Sequence, residues 1–185
     1  WLQKAAEQGD GPSQGVLASM YYEGRGIPKD DEKAFKWYLR AAENGVTHAK
    51  YRVGVMYANG RGVPKDVRQA IVWYNRAAED GYVDAQYDLG TAYMMAKNYD
   101  KAFEWMSKAA AQGKADAQVA VCVLYLDGVG VEKDDRKAFQ ACLTAAQQGD
   151  ADAQVALGNF YKSGRGVTMN LQTSLDWYRK AADQG

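Results

Sequence analysis

A five-residue segment, Ala-Ala-x-x-Gly, recurs six times along this chain of 185 residues. The intervals between its closing glycines are 36, 36, 32, 36 and 36 residues, so the period covers the whole sequence. The glycines are Gly9, Gly45, Gly81, Gly113, Gly149 and Gly185. A fixed period of this length is typical of repeat proteins, in which each unit is one supersecondary motif stacked on its neighbours. We predict a single repeat array with a leading half-helix at 1–9 and repeats at 10–45, 46–81, 82–113, 114–149 and 150–185.

Two helices are predicted in every repeat, because small and large residues recur within it at helical spacing. In the first helix, a small residue is followed three positions later by a tyrosine. The small residues are Ala18, Gly54, Gly90, Cys122 and Gly158. In the second helix, a small residue lies four positions before a larger one. The small residues there are Ala34, Ala70, Ala102, Ala138 and Ser174, and the larger ones are Tyr38, Tyr74, Met106, Cys142 and Tyr178. Small residues on both helices predict a close approach of the two helix axes.

The connection between the two helices carries a Gly-x-Gly motif in four of the five repeats. It reads Gly-Arg-Gly at 24–26, 60–62 and 164–166 and Gly-Val-Gly at 128–130. No Gly-Lys-Ser/Thr follows it and no strand pattern precedes it, so the context of a phosphate-binding loop is missing. We therefore interpret the motif as a turn that leads to the N-cap of the second helix. The N-cap residues are Asp30, Asp66, Asn98, Asp134 and Asn170.

Charge and residue types argue against several functional classes. The 23 basic and 23 acidic residues balance, so the basic excess of a nucleic-acid-binding protein is absent. The longest apolar run, at 119–126, is far too short to cross a bilayer, and no membrane insertion is expected. His48 is the one histidine, and nothing in the sequence meets the requirements of an active site. We predict no catalytic residues, no metal site and no cofactor.

The repeat unit resembles that of a known family. Residues 51–81, YRVGVMYANGRGVPKDVRQAIVWYNRAAEDG, are similar almost throughout to the Sel1-like repeat (SLR), a relative of the tetratricopeptide repeat. The resemblance extends over all five repeats. It departs in the shortened connection of the third repeat and at Ala141 and Cys142, where a Trp-Tyr pair is usual.

This resemblance implies an all-α fold, a right-handed α/α superhelix (solenoid) of antiparallel helix pairs with five SLR repeats. It also implies a non-enzymatic scaffold or adaptor that binds other proteins. Family members often serve in bacterial envelope, secretion or host-contact systems, or in eukaryotic protein-quality-control complexes. We therefore expect a bacterial periplasmic, secreted or cell-envelope location.

A partner-binding surface is expected on the concave face, which the first helices line in such arrays. By analogy with tetratricopeptide geometry, the groove positions lie three before, one after and four after the small residue of each first helix. The candidates are Tyr22, Tyr51, Val55, Tyr87, Met94, Val119, Val123 and Leu126. Their apolar character favours a peptide or a helix as the partner. The alternative for any one of them is packing between adjacent first helices. Two other functions stay open, a small-molecule-binding or hydrolytic repeat protein and an inert structural spacer.

Some side chains outside the groove also carry expectations. Cys122 and Cys142 face each other across one hairpin, and some family members staple helix pairs with cysteines, but we expect reduced thiols that pack as small apolar residues. His48 is expected to be a solvated surface residue. The loop arginines Arg25, Arg61 and Arg165 are expected to lie on a neutral, solvated rim.

The ends of the chain read as ordinary interior helices rather than polar capping helices. The sequence opens with Trp1 and Leu2 and closes with SLDWYRKAADQG. We expect either that the native protein continues past both ends or that the ends pair, which would give end-to-end self-association at high concentration.

Overall fold

The computed structural model describes residues 1–184, which form eleven α-helices. Gly185, the closing glycine of the last repeat, lies outside the described residues. The helices are α1 (Leu2–Glu7), α2 (Gly11–Glu23), α3 (Asp31–Glu43), α4 (Thr47–Asn59), α5 (Val67–Glu79), α6 (Val83–Met95), α7 (Tyr99–Ala111), α8 (Ala115–Asp127), α9 (Asp135–Gln147), α10 (Ala151–Ser163) and α11 (Leu171–Ala182). The chain divides into two compact units, Trp1–Leu89 and Gly90–Gly185, and the division lies within α6. We refer to them as unit 1 and unit 2.

The helix termini follow the polar and glycine signals of the sequence. Each predicted N-cap side chain accepts hydrogen bonds from backbone N–H groups of the first turn, as Asp66 does from Arg68 and Gln69. Such a cap is worth about 1 kcal/mol, because it satisfies donors that have no partner within the helix. At the other end of the second helix, Gly149 adopts a left-handed conformation with φ 96°, which a residue with a Cβ rarely takes.

Within each hairpin, the small residue of the first helix lies against the large residue of the second. A Cβ added at Gly54 would lie 2.7 Å from the ring of Tyr74, and one at Gly90 would lie 2.7 Å from Met106. The small residues of the second helices are buried as well, and Ser174 donates a hydrogen bond of 2.7 Å to the carbonyl of Gly158. The predicted close approach of the two helices is confirmed.

The expectation of reduced thiols is wrong. Cys122 in α8 and Cys142 in α9 form a disulfide, with 5.4 Å between their Cα atoms. The two residues occupy the same slots as Gly54 and Tyr74, so the contact that other hairpins make by packing is covalent here. Both are fully buried, and the bond lies in the core of unit 2.

A buried amide position recurs in the first helices, and the sequence reasoning missed it. The Nε2 of Gln154 donates to the carbonyl of Ala146, eight residues earlier, and its Oε1 accepts 2.8 Å from Gln184. Gln14, Gln86 and Gln118 donate to the equivalent carbonyls. The second repeat has Lys50 in this position instead. Its ammonium pairs with Asp80 at 2.6 Å.

The Gly-x-Gly connections are turns, as predicted, and in three of the four the second glycine also contacts the preceding repeat. A Cβ added at Gly62 would overlap the backbone carbonyl of Asp31 in the preceding repeat, and one at Gly166 would overlap that of Asp135. The position therefore needs a glycine for space as well as for its positive φ. In the third repeat, which lacks the motif, the short connection is made with Lys97 at φ 57°.

Candidate functional site

The eight predicted groove residues differ in how far they are available to a partner. Val123 is exposed, with 47% of its surface accessible. The other seven are half-buried: Tyr22, Tyr51, Val55, Tyr87, Met94, Val119 and Leu126. Met94 packs against the Met106 cluster of unit 2, and Val119 packs against the disulfide cluster. Several of these side chains therefore contribute to packing, which was the alternative left open by the sequence.

Tyr22 in unit 1 is surrounded by cationic side chains. The guanidinium carbon of Arg61 lies 3.6 Å from the centre of its ring, and that of Arg52 lies 4.1 Å away. Tyr38 packs edge-on at 6.3 Å. Cations over an aromatic face are attracted by the ring quadrupole. Tyr22 is thus half-buried and held by its neighbours.

Tyr51 is also engaged within unit 1. Its hydroxyl donates to a carboxylate oxygen of Asp88 at 3.1 Å, and its ring packs against those of Tyr74 and Tyr82. Burial, together with the Asp88 carboxylate, raises the pKa of Tyr51, and burial raises the pKa of Tyr74 to about 12. Both phenols are therefore protonated at neutral pH. A carboxylate in place of Tyr51 would lie beside Asp88 in a half-buried site, so this position is a poor one for testing a groove.

His48 is exposed, as predicted, but its ring is not isolated. It packs edge-on against Tyr38 at 6.4 Å and Tyr82 at 5.9 Å. Desolvation by these neighbours lowers its pKa, and the charge of Arg52 lowers it further. The imidazole is therefore neutral at pH 7.

The loop arginines of two repeats form clamps to the preceding repeat. Arg61 pairs with Asp31 at 2.9 Å and donates to the carbonyl of Tyr22 at 3.0 Å. Arg165 pairs with Asp135 at 2.7 Å and donates to the carbonyl of Leu126 at 3.3 Å. These two arginines differ from the expected solvated side chains, because each is bonded to the preceding repeat. Arg25 is highly exposed and pairs with Glu23 of its own repeat.

The Arg165 clamp borders an open cleft in unit 2. The cleft has a volume of about 270 Å³. Its walls are Leu126 from the end of α8, Ala156, Asn159, Phe160 and Ser163 from α10, and Arg165. We call this the Arg165 cleft. The floor residue Phe160 is buried, and Asn159 accepts a hydrogen bond of 2.8 Å from the Tyr178 hydroxyl. That bond occupies the Asn159 carbonyl oxygen and leaves its amide N–H groups for a ligand.

Exposed apolar residues continue on the same helices. Val123 precedes Leu126 by three positions on α8, so the two share a helix face. Val155 on α10, in another predicted groove position, has 42% of its surface exposed. An apolar surface with a recess is therefore present in unit 2, at positions that the repeat pattern assigned to the groove.

The described residues contain no group of three or more His, Cys, Asp or Glu side chains arranged to hold a metal ion. Among the helices of residues 1–184, none combines the length and apolar character needed to cross a membrane.

The repeats match a family model along the whole chain. Residues 1–10, 12–46, 47–82, 83–114, 115–150 and 151–185 match the Sel1 repeat. The chain belongs to the Sel1 repeat family, which confirms the predicted resemblance and its all-α, tetratricopeptide-related fold class. No curated protein sequence matches this chain.

Solved structures agree with this assignment. The crystal structure of c5321, a protective antigen present in uropathogenic Escherichia coli strains and displaying an SLR fold, is 36% identical with a TM-score of 0.97. The match covers 100% of this chain but 40% of c5321, so the chain spans less than half the length of that protein. A Sel1 repeat protein from Oxalobacter formigenes is 32% identical with a TM-score of 0.91, over 96% of this chain and 75% of that one.

A more distant structure shares the fold alone. YrrB, a tetratricopeptide-repeat protein with an unusual peptide-binding site, is 21% identical with a TM-score of 0.61, over 98% of this chain and 91% of YrrB. Sel1 and tetratricopeptide-like repeats bind proteins or peptides, and Sel1 repeat proteins are typically non-catalytic scaffolds.

Proposed function

We propose that the chain binds a peptide or helix of a partner protein on the apolar first-helix surface of unit 2. The observation that carries this proposal is the exposure of Val123 and Val155 on α8 and α10, the two helices that also contribute walls to the Arg165 cleft. Exposed apolar residues scattered singly are ordinary, but a recess bordered by apolar and polar groups is typical of binding sites. In unit 1, by contrast, the Tyr22 ring lies against Arg61 and the Tyr51 hydroxyl bonds to Asp88, so both side chains already have partners within the unit.

The disulfide supports a location for this activity. Disulfides persist in oxidising compartments, and the Cys122–Cys142 bond is buried in the core of unit 2. We propose a periplasmic, secreted or cell-envelope scaffold. A test of the location is intact mass after alkylation of protein isolated from its source under denaturing conditions, where a mass without added alkyl groups is expected.

The binding proposal is tested with a displayed library of random peptides panned against the chain. Selected peptides are then titrated against a Val123→Glu/Val155→Glu variant. Because a charge in an apolar interface is costly, we expect the affinity to fall at least about ten-fold. The matched control is Val72→Glu, which changes a valine of similar exposure on the second helix α5. Equal affinity for the double variant and the control, or no selected peptide, would contradict the proposal.

A further inference from the structure

The two Arg clamps make the same contacts to the preceding repeat, but different side chains lie beside them. Because the repeats are in register, Tyr22 corresponds to Leu126, Arg52 corresponds to Ala156, and Arg61 corresponds to Arg165. In unit 1 the frame is filled by the aromatic ring of Tyr22, which lies against both Arg61 and Arg52. In unit 2 the shorter side chains Leu126 and Ala156 leave the open Arg165 cleft.

The ring that occupies the unit 1 site indicates which kind of ligand would fit the unit 2 site. Arg61 has an aromatic ring 3.6 Å from its guanidinium carbon, whereas no described ring stacks on Arg165. Arg165 is nevertheless held in the same way, by an aspartate and by a backbone carbonyl of the preceding repeat. A planar guanidinium fixed in this manner offers a face on which an aromatic ring stacks favourably.

The remaining walls are compatible with a phenol ring. The buried ring of Phe160 forms an apolar floor, and Ala156 and Leu126 are small enough to leave room. Asn159 and Ser163 bring polar groups to the same cleft, where they can bond to a hydroxyl. Aromatic side chains with a polar end are favoured anchors at protein interfaces.

We propose that the Arg165 cleft is a specificity pocket for one aromatic side chain, a tyrosine, of the partner peptide. The ring stacks on Arg165 above Phe160, in the place that Tyr22 takes against Arg61 in unit 1. The inference rests on the proposed function for the identity of the partner as a peptide, but the pocket itself does not depend on any particular partner.

The test uses p-cresol, the side-chain analogue of tyrosine, titrated into the chain and followed by methyl NMR. Saturable shifts are expected at the methyl groups of Leu126 and Ala156, with a Kd of about 1–10 mM for a probe of this size. The comparison probe is 4-methylcyclohexanol, which has a similar shape but no π face. It should bind about five-fold more weakly if the ring stacks on the guanidinium.

Two variants supply the internal control. Leu126→Tyr places the unit 1 residue in the unit 2 site and should abolish p-cresol binding by filling the cleft. Should its spectrum show an unfolded protein, Ala156→Met fills the same space from α10. Absence of saturable shifts in the wild-type chain, or unchanged binding in a folded filled variant, would overturn the pocket.

The peptide experiment separates this proposal from the broader one. If both hold, peptides selected on the chain are rich in tyrosine, and Leu126→Tyr weakens them about ten-fold. If p-cresol binds but no peptide is selected, the pocket stands and the proposed function is wrong. If peptides bind through Val123 and Val155 but p-cresol does not bind, the proposed function stands and the pocket is wrong.

Discussion

Unit 1 and unit 2 contain the same Arg–Asp clamp, but the side chains beside it differ at two positions. Arg61 with Asp31 and Arg165 with Asp135 fix one repeat onto the preceding one in the same way. Tyr22 fills the space beside the first clamp, while Leu126 leaves space beside the second. The comparison indicates that the first-helix side chains beside the clamp can differ while the bond between successive repeats is kept.

One hairpin of each unit also differs in how its two helices are joined. The α4–α5 hairpin of unit 1 uses the packed pair Gly54 and Tyr74, and the α8–α9 hairpin of unit 2 uses a disulfide in the same slots. Both arrangements fill the narrow space between two helices. The covalent one also restricts the unfolded chain, which is a contribution that packing does not make.

The largest expected effect concerns this second difference. Replacing Cys122 and Cys142 by alanine should reduce the free energy of unfolding by about 3 kcal/mol, the value for closing a loop of this length. Urea unfolding measures the loss, and hydrogen exchange locates it, with faster exchange expected in α8 and α9 and no change in α4 and α5. A Cys122→Gly/Cys142→Tyr variant installs the unit 1 pair and should recover part of the loss. Identical unfolding of the oxidised and reduced wild-type protein would contradict this prediction.

The next effect compares the two clamps directly. Arg61→Ala removes an ion pair, a hydrogen bond to the Tyr22 carbonyl and the stacking on the Tyr22 ring, and we expect a loss of about 2 kcal/mol. Arg165→Ala removes the same polar contacts without the ring. Its side chain is more exposed, 38% against 29%, so a smaller loss of about 1 kcal/mol is expected.

Urea unfolding of the two variants side by side measures the difference. In a Leu126→Tyr background, the stability lost on Arg165→Ala should rise towards the loss caused by Arg61→Ala. Equal losses for Arg61→Ala and Arg165→Ala would mean that the Tyr22 ring adds nothing to the first clamp.

The sequence predicts the helices and their packing positions well, but it predicts the contacts between repeats and the open surface poorly. Helix positions, the N-caps such as Asp66 and the small slots such as Gly54 follow from local periodicity, which recurs five times and so is averaged over repeats. The clamp joins residues thirty positions apart in different repeats. The sequence does contain a correlation between the two positions. Arg61 and Arg165 each have an aspartate thirty residues earlier, whereas Val129 has Tyr99 there.

The disulfide, the exposure of the groove residues and the cleft could not be predicted for a different reason. Whether facing cysteines are bonded depends on a distance of a few ångströms between two helices, which a spacing of twenty residues does not determine. Likewise, the availability of Val123 and the packing of Tyr22 and Tyr51 depend on neighbouring repeats rather than on their own position. The cleft arises from what two side chains leave empty, and no motif encodes that.

The smallest expected effect lies in a matched pair within unit 1 and depends on pH. Lys50 and Asp80 stand where the first repeat has Gln14 and Asn44, which are joined by a neutral hydrogen bond of 2.9 Å. The hydrogen bond from Lys50, followed by that from Thr47, lowers the pKa of Asp80 below its usual value. A lowered pKa in the folded state means that the pair stabilises the fold above about pH 4. This stabilisation is lost as the pH falls through the folded-state pKa. Asp80 is partly exposed, so the loss is about 0.5 kcal/mol.

A Lys50→Gln/Asp80→Asn variant, which copies the first repeat, should lose less stability than the wild type between pH 6 and pH 3, as read from urea midpoints. The same pH dependence in both proteins would contradict this prediction, because it would show that the Lys50–Asp80 pair adds no pH-dependent stability to the fold.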